Sequence, residues 1–252
     1  MKTDKDYTMT LDCILPSKGL IYDKEINPNI KLRSMTTLDE MKRLSRSENQ
    51  YQNMAEMIDD CIVSDVGIST YDMCIADYKY LLYKLRQVTY GDVYKINTTC
   101  PYCGYSEIEE IVISNLEVNT LDFTEEDMLS FILPQSGNKI ELAFQTPRML
   151  DAITNTIKNG KNRKNKTPFD ETLLYSICYL VKTIDGNRVD IAQKEEWVKN
   201  LPMVDTNTIL KKSDDFNVKF GLNTDIDYEC SLCGAVSPLS VKITSEFFRP
   251  AL

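Results

Sequence analysis

The chain has 252 residues, a formal net charge of −9, 42% hydrophobic residues and 27% charged residues, a composition that reads as globular and not disordered. It contains 8 cysteines and no histidine. That excludes Ser-His-Asp and Cys-His catalysis, imidazole acid/base chemistry and any metal site with a histidine ligand.

The first extended stretch, Leu11 to Leu15, runs into Pro16-Ser17-Lys18-Gly19, where closely spaced Pro and Gly mark a turn. The alternation Ile30-Lys31-Leu32-Arg33 predicts a strand. Thr37 is placed to cap a helix with Leu38, Met41 and Leu44 on its apolar face and Glu40 as the capping-box acid. Lys42, Arg43 and Arg46 then form that helix's solvent face. Met54, Met57, Ile58, Cys61 and Ile62 follow the spacing of a second amphipathic helix. A third carries Cys74, Ile75, Tyr78, Leu81, Leu82 and Leu85, and stops before Gly91. Val93 to Ile96 reads as a strand leading into Cys100.

The second half follows the same order. Leu133-Pro134-Gln135-Ser136-Gly137 echoes Leu15-Pro16-Ser17-Lys18-Gly19, and Ile140, Leu142 and Phe144 alternate as a strand. A helix with Met149, Leu150, Ile153 and Ile157 starts at Pro147, a residue suited to a first helical turn. A basic loop, Lys158, Lys161, Arg163, Lys164 and Lys166, precedes a helix entered near Pro168 with Leu173, Leu174, Ile177, Cys178 and Val181. Asp185-Gly186-Asn187 signals a turn, with a small hairpin between Ile184 and Val189. Short helices over 192–199 and 205–212 and a strand over 226–228 complete the run to Cys230. The expected fold is α+β. Two helical lobes with short strands, 1–130 and 131–252, are joined by a zinc-ribbon-like site of four cysteines. The repeated order points to internal duplication, against chance recurrence of short Pro/Gly turns.

The most specific signal is the pair Cys100-Pro101-Tyr102-Cys103-Gly104 and Cys230-Ser231-Leu232-Cys233-Gly234. Two residues between thiolates let one tight turn aim both sulfurs at an ion, and the glycine that follows permits positive φ. No apolar run reaches the roughly 18 residues of a membrane span, and the charged start lacks a secretory h-region. The expected compartment is therefore reducing, where metal binding outranks disulfides. Cys100, Cys103, Cys230 and Cys233 are read as ligands of structural zinc, with an iron centre of the same geometry, an unmetallated pair of knuckles and redox CxxC chemistry as alternatives. The pairs lie well over a hundred residues apart. Either two halves fold back to share one ion, or the second half is an insertion in a ribbon. Cys13, Cys61, Cys74 and Cys178 read as packing residues.

A zinc-ribbon nucleic-acid-binding or transcription-associated module is the competing reading. No Lys or Arg occurs between Lys95 and Lys139, and Asp225, Asp227 and Glu229 precede the second knuckle. That acidity repels phosphates, so no nucleic acid is expected as a partner. Asp59-Asp60 and Glu125-Glu126-Asp127 read as helix-start acids with no catalytic partner. Tyr80 and Tyr83 fall off the third helix's core face. They are assigned to a protein–protein contact surface, with packing against the other half as the alternative.

Leu15-Pro16-Ser17-Lys18-Gly19 with Tyr22, then Leu32-Arg33-Ser34-Met35-Thr36-Thr37 with Glu40, resembles the opening of the baseplate hub or tail assembly protein family of T-even-type contractile-tailed bacteriophages. Asp77, Leu81-Leu82, Leu85-Arg86, Tyr90-Gly91, the first knuckle and the Leu133-Pro134 restart extend the likeness. The resemblance implies a non-enzymatic role with other phage baseplate and tail proteins in a multi-subunit assembly. Its place would be the virion tail or baseplate, or the host cytoplasm during assembly. It carries over no catalytic residues.

Overall fold

Each half opens on a hairpin closed by a Leu-Pro turn. The computed structural model describes residues 8–122, 129–161, 170–244 and 246–249. β1 (Thr10–Ile14) pairs antiparallel with β2 (Asn29–Arg33). In the second half β6 (Ser130–Ile132), β7 (Lys139–Leu142) and β8 (Val181–Ile184) form an antiparallel sheet in that order. Leu15 and Leu133, which lead into the two turns, are both buried. Asp185 and Gly186 take positive φ, and the bridge closes from Ile184 to Asn187, tighter than the expected Ile184–Val189 hairpin.

The helices follow from their apolar spacing, with one exception. α2 (Gln50–Cys61) buries Met57, Ile58 and Cys61 as its pattern predicts. α3 (Ile75–Tyr90) ends at Gly91, whose φ of 90° stops the helix. It is buried on almost every side and forms the axis of the first half. α1 (Thr37–Leu44) is the exception. Thr36, not Thr37, caps it, and Asp39, not Glu40, completes the capping box. Leu38, Met41 and Leu44 face outward, while Asp39 is buried and Arg43 packs inward over Phe248. Charge pairing decided this orientation against the apolar pattern.

α4 (Pro147–Lys161), α5 (Thr172–Leu180), α6 (Ile191–Lys199) and α7 (Met203–Lys219) build the second half. α7 extends well past the expected 205–212, and Val181 leaves the helix for β8. Leu133, Ile140, Leu142, Ile177, Leu180, Val181 and Ile209 form this half's own core. The first core is not confined to the first half, because Val241, Phe247 and Phe248 belong to it. β5 (Val118–Asn119) pairs antiparallel with β9 (Gly221–Leu222), a second tie between 1–130 and 131–252. Asp151 of α4 reinforces the union: it accepts from the N–H groups of Tyr51 and Gln52 at 3.3 and 2.9 Å, capping α2 from the other half. Arg86 ties in the C-terminal segment. It is buried and donates to the carbonyls of Phe247, Gly91 and Val93 at 3.1, 2.9 and 3.0 Å. The basic residues Arg163, Lys164 and Lys166, with Pro168 and the acidic Glu125-Glu126-Asp127, lie outside the described residues.

Candidate metal centre

Two hairpins carry the four sulfurs. β3 (Val93–Thr99) and β4 (Ser106–Val112) pair in register from Val93↔Val112 to Thr99↔Ser106, so the chain turns over at Cys100–Tyr105. β10 (Asp225–Glu229) and β11 (Val236–Ser240) do the same around Cys230–Ala235. The two turns share one hydrogen-bond pattern. The N–H of Cys100 donates to the Tyr105 carbonyl and that of Gly104 to the Cys100 carbonyl, at 2.8 and 2.9 Å. Cys230 to Ala235 and Gly234 to Cys230 repeat this at 3.0 and 2.8 Å. Gly104 and Gly234 sit at φ 75° and 68°, the conformation that lets the chain leave the knuckle.

The sulfurs of Cys100, Cys103, Cys230 and Cys233 all lie within 4.8 Å of one another. Cys100–Cys233 and Cys103–Cys230 are each 3.7 Å apart. A tetrahedron with Zn–S bonds of about 2.3 Å has sulfur edges of about 3.8 Å. The four thiols thus have the spacing of a tetrathiolate site, and all eight cysteines are free of disulfides. One sulfur of each pair, Cys100 and Cys230, is buried; Cys103 and Cys233 are exposed. Burial acts to raise the Cys230 thiol, but the N–H groups of Cys233 and Leu232 and the neighbouring thiols pull it below its usual value. Cys103 moves the other way: the Tyr105 N–H acts to lower it, and partial desolvation with its hydrogen bonds to the other three thiols outweighs that.

Glu107 locks the hairpins together. From β4 it accepts from the Ser231 N–H at 3.1 Å, the Ser231 hydroxyl at 2.5 Å and the Tyr228 hydroxyl. These donors hold its carboxyl below the usual range. Tyr228 packs against Cys100 and Cys230, with Leu239 beside them. Sequence reading gives Glu107 no role beyond its place in the stretch between Lys95 and Lys139 that lacks Lys and Arg. The signal it misses is strand alternation: Glu107 shares the less exposed row of β4 with Glu109 and Ile111.

The structure thus brings together the four predicted sulfur residues. It does not leave Tyr80 and Tyr83 available for docking, since they are 5% and 2% exposed. Tyr83 donates to the Val241 carbonyl and packs edge-on against Phe247 at 4.8 Å. Tyr83 joins the halves of this chain, while Tyr80 is buried within the first half beside Cys13 and Lys84, so the expected contact surface is corrected to an internal one. α3 is buried nearly all round, and a face count made for a half-buried helix misassigns both rings. Cys61, Cys74 and Cys178 are buried packing residues as expected, and Cys13 is half-buried. Asp59 accepts from the Thr70 N–H and the Ser69 hydroxyl, and Asp60 pairs with Lys42. Both have structural work.

A family model described as T4 bacteriophage base plate protein matches residues 7–249. No curated protein and no solved structure matches the chain. Among the described residues, no helix is long and apolar enough to cross a membrane.

Proposed function

The chain belongs to the T4 bacteriophage base plate protein family, and from that premise we propose that it is a non-enzymatic hub component or assembly factor of the baseplate, stapled by one structural zinc on Cys100, Cys103, Cys230 and Cys233. The family places it with the virion tail and with other phage tail proteins. The observation that carries the staple is the sulfur spacing, 3.7 Å in two pairs drawn from opposite halves. Bound there, the ion would neutralise the thiolates and fix both hairpins to each other. Assembly in the host cytoplasm belongs to the same reading.

The non-enzymatic part rests on how the buried carboxylates are used. Asp77, Asp151 and Asp205 each accept backbone N–H groups from a turn or a helix start. They are occupied as architecture. The nucleic-acid alternative gains nothing, since acidic residues surround the knuckles.

Two measurements test the proposal. Metal analysis of purified protein is expected to give one zinc per chain; iron would change the ion, and no metal would remove the staple. Affinity-tagged protein from infected cells is expected to sediment with tail proteins. Mass spectrometry of purified virions then separates a resident component, which is present, from an assembly factor, which is absent. Sedimentation apart from every tail protein would overturn the assembly role.

A further inference from the structure

The two knuckles share a backbone pattern but not the means of holding it. Counted from the cysteines, Pro101 of the first corresponds to Ser231 of the second. The strand register completes the match: Thr98 faces Glu107 across the first hairpin, and Tyr228 faces Ser237 across the second. The ring of Pro101 fixes its φ and leaves no N–H to satisfy, so the first knuckle is stiff on its own. Ser231 has neither restraint. It lies in an exposed turn, immediately before the Leu232 and Cys233 N–H groups that turn toward the Cys230 sulfur.

What holds Ser231 comes from the other hairpin. Glu107 Oε1 accepts the Ser231 N–H at 3.1 Å, and Oε2 accepts the Ser231 hydroxyl at 2.5 Å. The same Oε1 accepts the Tyr228 hydroxyl. One carboxylate thus grips the chain on both sides of the ligand Cys230. Among the described residues no grip runs in reverse. The counterpart of Glu107 is Ser237, with only a short hydroxyl, and the counterpart of Ser231 is Pro101, with no N–H to offer. The dependence therefore has one direction. The second knuckle takes its shape from the first hairpin, whereas the first takes its shape from its own proline.

We propose that Glu107 is the positioning residue of the metal centre: it presets the second knuckle for the ion, the task that Pro101 performs in the first. The proposal rests on the four-thiolate zinc reading and names what shapes that site before metal arrives. Cobalt(II), which takes tetrahedral thiolate sites and colours them, tests it on the full, reduced, metal-free chain against a competing chelator. Glu107→Ala should raise the free cobalt needed for half-saturation about tenfold or more. The absorption bands should not move, because Cys100, Cys103, Cys230 and Cys233 all remain. Glu107→Gln keeps an oxygen for the Ser231 N–H and should stay within about threefold of the unaltered chain. Ser231→Pro in the Glu107→Ala background should recover most of the loss, because it gives the second knuckle the restraint of the first. A brace that merely joined the hairpins would not be restored this way. Ser231→Gly loosens the same exposed turn without disturbing the strands, and should weaken cobalt binding about threefold or more. Unchanged affinity in Glu107→Ala or in Ser231→Gly overturns the proposal. So does Glu107→Gln as weak as Glu107→Ala, or a loss that Ser231→Pro leaves in place. An unaltered chain that never develops the cobalt–thiolate bands overturns the zinc reading instead.

Discussion

Asp77 and Asp205 occupy the third position of α3 and α7, and each carboxylate holds the Leu-Pro turn of its own half. Asp205 accepts from the N–H groups of Gln135 and Ser136 at 2.8 and 2.7 Å. Asp77 accepts from the Ser17 N–H at 3.0 Å, the Ser17 hydroxyl at 2.5 Å and the Tyr22 hydroxyl at 2.7 Å. Both aspartates are fully buried. Their electrical states differ. Burial works to raise both carboxyls. At Asp205 the Gln135 and Ser136 donors overcome it and the carboxyl lies below its usual value. At Asp77 burial wins, and the carboxyl lies above. The lesson is that one position and one task support opposite responses to pH, because the balance between burial and the hydrogen-bond donors that oppose it differs. The repetition of turn, grip, helix and knuckle supports reading the halves as one plan written twice.

The largest expected effect falls where the halves converge. Under the zinc proposal, removing the ion with a chelator, or Cys230→Ser, should release both hairpins and cost on the order of 10 kcal/mol or more at full zinc affinity. Denaturant unfolding reads the loss. If only the β10–β11 side loosens in hydrogen exchange, the staple is not shared equally.

Next come the two grips. Asp77→Ala leaves a buried N–H and two hydroxyls without their acceptor and should cost about 3 kcal/mol. Asp205→Ala leaves two N–H groups and should cost about 2 kcal/mol. Equal losses would mean the hydroxyl donors at Asp77 add nothing.

Stability against pH sharpens the comparison further. Between the unfolded carboxylate value near 3.9 and the lower folded value of Asp205, only the unfolded chain holds the proton, so stability falls as pH drops through that window. For Asp77 the native chain holds the proton above about 3.9, so its contribution falls as pH rises toward its raised folded value. Asp205→Asn should therefore flatten the acid limb, and Asp77→Asn should flatten the limb above it.

The smallest expected difference lies in the turn glycines. Gly19 and Gly137 have φ of 78° and 75°, so alanine is strained at both. A Cβ at Gly19 would also meet Ile26 Cγ1 at 3.1 Å, whereas nothing lies within 4 Å at Gly137. Gly137→Ala should cost about 1 kcal/mol and Gly19→Ala up to about 2 kcal/mol. Thermal melts would show the order.

Local chemistry alone determined much of this protein. The Leu-Pro turns, α2, the end of α3 at Gly91, the first hairpin and the four-sulfur set are legible because backbone punctuation and side-chain period act over a few residues. Contacts distant in sequence decided the rest. Helix α1 faces outward because Arg43, on its opposite side, packs over the Phe248 ring from the C-terminal segment, while Arg33 holds Asp39 beside it. Tyr80 and Tyr83 are internal because α3 lies among packed neighbours, with the Val241 carbonyl and the Phe247 ring closing over Tyr83. Glu107 and Asp151 became braces only when the fold brought donors from the other half to them. A pattern of period and punctuation carries no record of such partners. A buried charge must find one or not be buried, and only the tertiary structure shows which partner it found.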